Sequence, residues 1–285
     1  MATQKRKSLG LLTSFTPEIF KCEYFTRIIS GIIDALSNTD YDLRFIMVKE
    51  SEDPGEPKQI LAEHGVQGLM FLTWRLHPKF IDAALEGFQK LPVVLINDYI
   101  PQIKTSIVYC NNNSGARKAM QHLVSRGYKR IGMIQAPDEA SLDAVERFRI
   151  YKETLEENNL EINPAYFRKC EYFFEEDGYL KMLDIIQKAN PLPQAMFCFN
   201  DDLAIGAIRA VKEEKIRCPG QIAIMGYDGL DRGKYVDPPL TSVRQPLEAM
   251  GREMAKVLMD VIEGKETPPV KKEFQPEMMI RRSVV

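Results

Sequence analysis

The sequence predicts an α/β fold made of two doubly wound units, each with a mainly parallel sheet. Two observations carry this. Short runs that are apolar at every position alternate with longer stretches of helical periodicity, and the alternation begins afresh near the middle of the chain. A length of 285 residues accommodates two units of ordinary domain size.

The expected strands lie at residues 9–12, 43–48, 68–72, 93–96, 131–134, 195–199 and 222–227, with a shorter run at Ser106–Cys110. Runs without polar alternation suit strands covered by helices on both faces. Between them, Phe25, Ile28, Ile29, Ile32, Ile33 and Leu36 recur at three- and four-residue spacing and form one helical stripe. Leu247, Met250, Met254, Val257, Leu258, Val261 and Ile262 do the same, and Gly264 then suits a C-terminal cap. Asn112-Asn113-Ser114 reads as the capped start of a helix over 115–126. The first unit is expected to end near Arg126, and Gly127-Tyr128-Lys129-Arg130 to lead into a new strand.

Composition narrows the function. Hydrophobic residues make up 45% and charged residues 27%, the balance of a water-soluble globular protein. The net charge of -2 argues against a chain that itself grips a phosphate backbone. Lys5-Arg6-Lys7 is a short basic run within residues 1–7, which read as a linker remnant or tag. No apolar run reaches transmembrane length, and the first residues lack the apolar core of a signal peptide, so the expected location is the cytoplasm. The five cysteines, Cys22, Cys110, Cys170, Cys198 and Cys218, are odd in number and form no CxxC pair. They read as reduced thiols, and the three histidines lack metal-ligand spacing, so no metal is expected.

Catalytic motifs are missing. There is no GxGxxG after the first strand, no phosphate-binding GxxxxGK[ST] loop, no GxSxG elbow and no HExxH. Neither a catalytic residue nor a cofactor is expected. Recognition chemistry is present instead, at the carboxyl ends of expected strands, where doubly wound sheets bind ligands. Asn200-Asp201 follows one strand, Asp228 another, Thr13-Ser14-Phe15 the first, and 111–114 the short run ending at Cys110. Carboxylate, amide and guanidinium groups beside an aromatic face suit a neutral polyol. Each also has a plainer reading: Asn200 or Asp201 as a helix cap, Asp228 as part of a turn at 226–229.

Several segments together resemble the lactose/galactose repressor (LacI/GalR) family, in that family's order. They include Asn112-Asn113-Ser114-Gly115-Ala116, Arg126-Gly127-Tyr128-Lys129-Arg130-Ile131-Gly132 and Phe199-Asn200-Asp201-Asp202-Leu203-Ala204-Ile205-Gly206-Ala207. Met225-Gly226-Tyr227-Asp228-Gly229, Pro238-Pro239-Leu240-Thr241-Ser242-Val243-Arg244-Gln245-Pro246 and Arg281-Arg282-Ser283 complete the series. The resemblance implies a periplasmic-binding-protein-like (type I) core of two lobes joined by three crossings, near Arg126, at 243–246 and at 274–276. The lobes would be 8–126 plus 247–274 and 127–246 plus 275–285, so the late helix at 247–263 would return to the first lobe.

It further implies a small effector, a sugar or sugar derivative, held between the lobes. Arg147, Asn200, Asp228 and Gln245 would contact it, with Phe15 and Ser114 as weaker candidates and Arg149 as the alternative to Arg147. A homodimer is implied, with Ile33 on the first helix and Tyr235 and Val236 in the segment 231–237 at its interface. Operator DNA would be read by a helix-turn-helix headpiece upstream of Leu9. Effector binding would favour one arrangement of the lobes and so alter the spacing of the headpieces. The sequence departs from the family pattern in a longer first loop, at 13–23, and in Asn111-Asn112 where Asp-Asn is common. Two other classes share such a scaffold: a periplasmic sugar-binding protein of a transporter, and an enzyme.

Overall fold

A computed structural model describes residues 7–14, 20–48, 65–72, 91–97, 105–137 and 142–285. The chain forms two compact units. Among the described residues it passes from one to the other at Cys110–Asn111, Gln245–Pro246 and Phe274–Gln275.

The first unit holds a six-stranded sheet of β1 (Lys7–Ser14), β2 (Tyr41–Val48), β3 (Gly68–Phe71), β4 (Val93–Ile96), β5 (Ser106–Cys110) and β11 (Lys271–Phe274). Every pairing in the order β11-β5-β4-β3-β1-β2 is parallel. The central strands β3 and β4 are buried at every position, as the unbroken apolar runs require. The edge strand β2 departs from that expectation: Tyr41 and Ile46 are buried, whereas Phe45 and Met47 are exposed. An edge strand lacks a neighbour along one side, so parts of both its faces reach water.

Helices α1 (Glu23–Leu36) and α6 (Leu247–Ile262) pack together in this unit, so the late helix does return to the first half of the chain. Their backbones nearly touch. A Cβ added to Gly31 would lie 2.0 Å from the Glu248 carbonyl oxygen, and one added to Gly251 would lie 2.1 Å from that of Ile28. Arg27 closes the crossing with a two-pronged hydrogen bond to Glu248, at 3.0 and 3.1 Å.

The second unit holds β6 (Ile131–Gln135), β7 (Phe167–Lys169), β8 (Ala195–Cys198), β9 (Ala223–Asp228), β10 (Thr241–Arg244) and β12 (Glu277–Met279), in the order β12-β10-β9-β8-β6-β7. All pairs are parallel except β10 with β12. Two hydrophobic clusters flank this sheet, and the strand pleat shares residues between them. Ala195, Phe197, Met225 and Tyr227 enter one cluster; Met196, Cys198 and Ile224 enter the other. On the first side lie α2 (Asn112–Ser125) and α3 (Leu142–Glu157), on the second α4 (Glu175–Lys188) and α5 (Asp201–Glu213). The α4–α5 crossing repeats the small-residue solution, since a Cβ on Gly206 would lie 1.9 Å from the Glu175 carbonyl oxygen.

Two boundaries read from the sequence are corrected. The first passage between units lies at Cys110–Asn111, not near Arg126, so α2 belongs to the second unit. Its Ala116, Ala119, Met120 and Leu123 fill the same cluster as Ile131, Met133 and Tyr151, and that burial decides its allegiance. The helix also begins earlier than 115: Asn111 is its N-cap, accepting from the Ser114 amide at 2.9 Å.

Candidate ligand-binding site

In the second unit, groups from α2, α3 and the carboxyl ends of β8 and β9 converge on Arg147. This arginine is 2% exposed, although it stands on an otherwise amphipathic helix. Its Nε donates to Asn112 Oδ1 at 2.8 Å and its Nη1 to the Phe199 carbonyl at 2.6 Å. Asp143, one helical turn earlier, stands 3.6 Å from Nη2 and accepts from Asn112 Nδ2 at 2.7 Å. The guanidinium carbon lies 3.6 Å from the ring centroid of Tyr227 and 4.4 Å from that of Phe199. Two aromatic faces and a carboxylate therefore hold the cation where water is scarce. Arg149, the other candidate, is partly exposed and ion-paired with Glu146 and Glu153.

Asp228 ends β9 with φ +110°, a conformation that side-chain-bearing residues seldom adopt. Its Oδ1 accepts from Gln245 Nε2 at 2.9 Å, and its carbonyl accepts from the Gln245 amide at 3.1 Å. Burial pushes its carboxyl up to about 7, while Arg147 and the Gln245 hydrogen bond act against that rise. Nearby Asp202 and Asp143 reinforce it.

The turn beyond Asp228 is held by Asp201. This carboxyl accepts from Ser242 Oγ at 2.5 Å and from the Leu230 amide at 2.6 Å, and the same Ser242 oxygen accepts from the Gly229 amide at 3.1 Å. Burial, then the neighbouring Asp228, raises Asp201 far above the usual carboxylate range. Gly226 makes this reach possible: a Cβ there would stand 2.2 Å from Asp201 Oδ1. Asp201 thus positions the loop and does not cap a helix. Asn200 is the cap of α5, accepting from the Leu203 amide at 2.9 Å and donating to the Phe173 carbonyl at 3.0 Å.

Arg147, Asp228 and Gln245 are therefore brought together, and Asn200 follows directly on Phe199, whose carbonyl Arg147 holds. Ser114 lies in the first turn of α2, two residues from Asn112. Phe15 lies outside the described residues. The sequence reading placed Asn112 among the strand-end residues 111–114 but singled out Ser114 there, and it missed Asp143, Phe173 and Tyr227. Nothing in the sequence marks Asp143 as a partner of Asn112; only the packing of α2 on α3 pairs them. In the first unit, Asn97 (φ +56°) ends β4, donating to the Tyr24 hydroxyl at 2.7 Å and accepting from the Cys110 amide at 3.0 Å.

Of the interface candidates, Ile33 is 52% and Tyr235 86% exposed. Val236 differs: it is half-buried against the cluster of its own unit. Among the described residues no group of histidine, cysteine and carboxylate side chains is arranged to hold a metal ion, and no helix is long and apolar enough to cross a membrane. All five cysteines are unbridged thiols.

A family model described as a periplasmic binding protein-like domain matches residues 120–284. The HTH-type transcriptional repressor PurR of Haemophilus influenzae (strain PittEE) is 30% identical over 285 residues, which span 98% of this chain and 81% of that protein. The chain belongs to the LacI/GalR family. A second LacI/GalR relative, the HTH-type transcriptional repressor CytR of Escherichia coli (strain K12), is 28% identical across 98% of this chain and 80% of its own length. A solved complex of the transcriptional regulator CelR with cellobiose has 28% identity and a TM-score of 0.85, covering 98% of this chain and 85% of CelR. This LacI/GalR chain is accordingly the ligand-sensing core of a transcription regulator, and not a transporter's binding protein.

Proposed function

We propose that the second unit's strand-end site binds a neutral polyhydroxylated effector, a sugar or sugar derivative. The observation that carries the reading is the buried Arg147, fixed by Asn112, Phe199 and two aromatic faces beside Asp228 and Gln245. Arg147 would donate to hydroxyl oxygens and Asp228 would accept from hydroxyl protons. Gln245 and Asn200 would each add a donor and an acceptor, because amide oxygens carry two lone pairs and amide nitrogens two protons. Ser114 and Phe15 complete the proposed contacts as the weaker members. The cellobiose held by CelR supports a sugar as the ligand class.

The reading assigns no reaction to the protein. The effector acts by binding one conformation better than another, since equal affinity would shift nothing. A homodimer in the cytoplasm, with a helix-turn-helix headpiece reaching operator DNA, is the proposed setting; the repressor relatives and the unbridged cysteines support it.

Calorimetry against a panel of neutral mono- and disaccharides tests the site. Arg147→Ala and Asp228→Ala should each weaken the sugar that binds by roughly ten- to a hundredfold, the usual loss for a buried charged hydrogen bond. Unchanged affinity in both variants would sink the assignment.

A further inference from the structure

Among the described residues, the buried arginine and aspartate side chains are one arginine, Arg147, and four aspartates, Asp143, Asp201, Asp202 and Asp228, of which Asp201 is pushed far above the usual carboxylate range by burial. Such an imbalance is unusual for a site whose arginine would otherwise attract anions. The four aspartates have different duties. Asp202 is engaged by Arg232 at 2.7 Å. Asp201 holds the Leu230 amide and Ser242. Asp228 ends its strand on Gln245. Asp143 alone combines proximity to the guanidinium, 3.6 Å from Nη2, with a grip on Asn112, which itself accepts from Arg147 Nε. A closed triangle of Asp143, Asn112 and Arg147 results.

We propose that Asp143 is the residue that sets the charge selectivity of this site: by countering the Arg147 guanidinium it admits uncharged effectors and turns away phosphorylated or carboxylated ones. The proposal rests on the reading of this site as the effector site and adds the residue that excludes anions. The physical basis is the strength of a charge pair in a poorly hydrated site. An arriving phosphate would meet the Arg147 charge together with that of Asp143 and, above about pH 7, that of Asp228. The Asp228 charge is present in the native chain and the Asp143 variants alike, so the difference between them isolates the repulsion due to Asp143. A neutral hydroxyl feels no such net field and keeps its hydrogen bonds. Asp143 also lies in the first turn of α3, where an acidic side chain favours the helix dipole. Loss of that contribution would weaken neutral and anionic ligands alike, whereas the proposed role changes their ratio.

The test uses the full 285-residue chain. Inorganic phosphate is titrated at pH 8 by calorimetry and thermal shift, alongside matched pairs of ribose with ribose 5-phosphate and glucose with glucose 6-phosphate. The native chain should ignore phosphate. Asp143→Asn keeps an oxygen for Asn112 and removes the charge, and should bind phosphate at least about tenfold more tightly than the native chain, as loss of a nearby like charge allows. The gain should vanish when Arg147→Met is added, and Asp143→Glu should restore rejection. Asp143→Ser serves as a second neutral variant if Asp143→Asn is poorly folded. Phosphate binding by the native chain, or variants as indifferent to phosphate as the native chain, would overturn the role of Asp143. Failure of every neutral sugar, with phosphate still gained through Arg147 in Asp143→Asn, would instead remove the sugar reading and leave Asp143 as the charge filter.

Discussion

Asp228 joins a proposed binding role to instability within a single side chain. Its carboxyl titrates at about 7 in the folded chain because it is buried, against an ordinary carboxylate value near 4 when unfolded. The folded state thus holds a proton that the unfolded state has lost, and stability falls as pH rises from about 4 to about 7. Asp228→Asn removes that dependence and keeps an oxygen for Gln245. Relative to the native chain it should gain stability as pH rises from 5 to 8, by on the order of 1–3 kcal/mol, while losing effector affinity. Chemical denaturation at both pH values checks the sign; an equal effect at the two would refute it. Arg147→Met should act oppositely. It leaves Asp143 and Asp228 without their cation, a loss of about 3–5 kcal/mol for a broken buried pair, and the loss should be smaller at pH 5, where Asp228 is protonated. At this scale the sequence pointed to Asn200 and Asp228 because each follows an apolar run, whereas Gln245 and Arg147 came only from the family resemblance. It offered Asn200 as a helix cap, which is a local reading, but it could not show that Asp201 reaches across to Leu230, because that depends on which strands lie side by side.

The elements most legible in the sequence were those buried on both sides. Strands β3, β4, β6, β8 and β9 are mainly apolar runs buried at every position, and in the second unit, where helices flank the sheet on both sides, their residues divide alternately between two clusters. Strands β7, β10, β11 and β12 were missed: Phe-Arg-Lys, Lys-Lys-Glu-Phe and Glu-Met-Met are edge sequences shaped by partial exposure, whereas Thr-Ser-Val-Arg of the interior β10 hides its strand behind polar residues that are buried and hydrogen-bonded. The helix crossings carry a sharper signal. Gly31 faces Gly251's helix in the first unit, and Gly206 faces the helix of Glu175 in the second, each at a distance no side chain permits. Gly251→Ala and Gly206→Ala should each lower stability by about 1–3 kcal/mol, the usual loss on overpacking, despite the better helix propensity of alanine. Thermal melts of the two variants decide between packing and propensity: a raised Tm in either would mean that the helices separate without strain.

For the whole molecule, discontinuity was the hardest property to read. The alternation of strands and helices marked two units, but it placed α2 with the strand before it, when its apolar face packs with the strands that follow. Assembly is the corresponding proposal at this scale. Tyr235 is 86% exposed on a loop, and Ile33 is 52% exposed on a helix whose Phe25, Ile28, Ile29, Ile32 and Leu36 are buried. A large aromatic left in water is the kind of side chain that anchors an interface, where tyrosine is enriched among the residues that dominate binding. The net charge of -2 sets only weak repulsion between two copies of the chain. Light scattering at micromolar concentration should therefore give twice 32.6 kDa. Tyr235→Asp should raise the dimer dissociation constant by about a hundredfold, the effect of a loss near 2–3 kcal/mol at an interface anchor. It should leave the melting of the subunit unchanged, because the side chain touches little of its own chain. Val236→Ala supplies the contrast. That side chain packs on its own cluster, so its truncation should lower subunit stability and spare association. A native chain that sediments as a monomer would remove the assembly reading, and a Tyr235→Asp variant that remains dimeric would move the interface elsewhere.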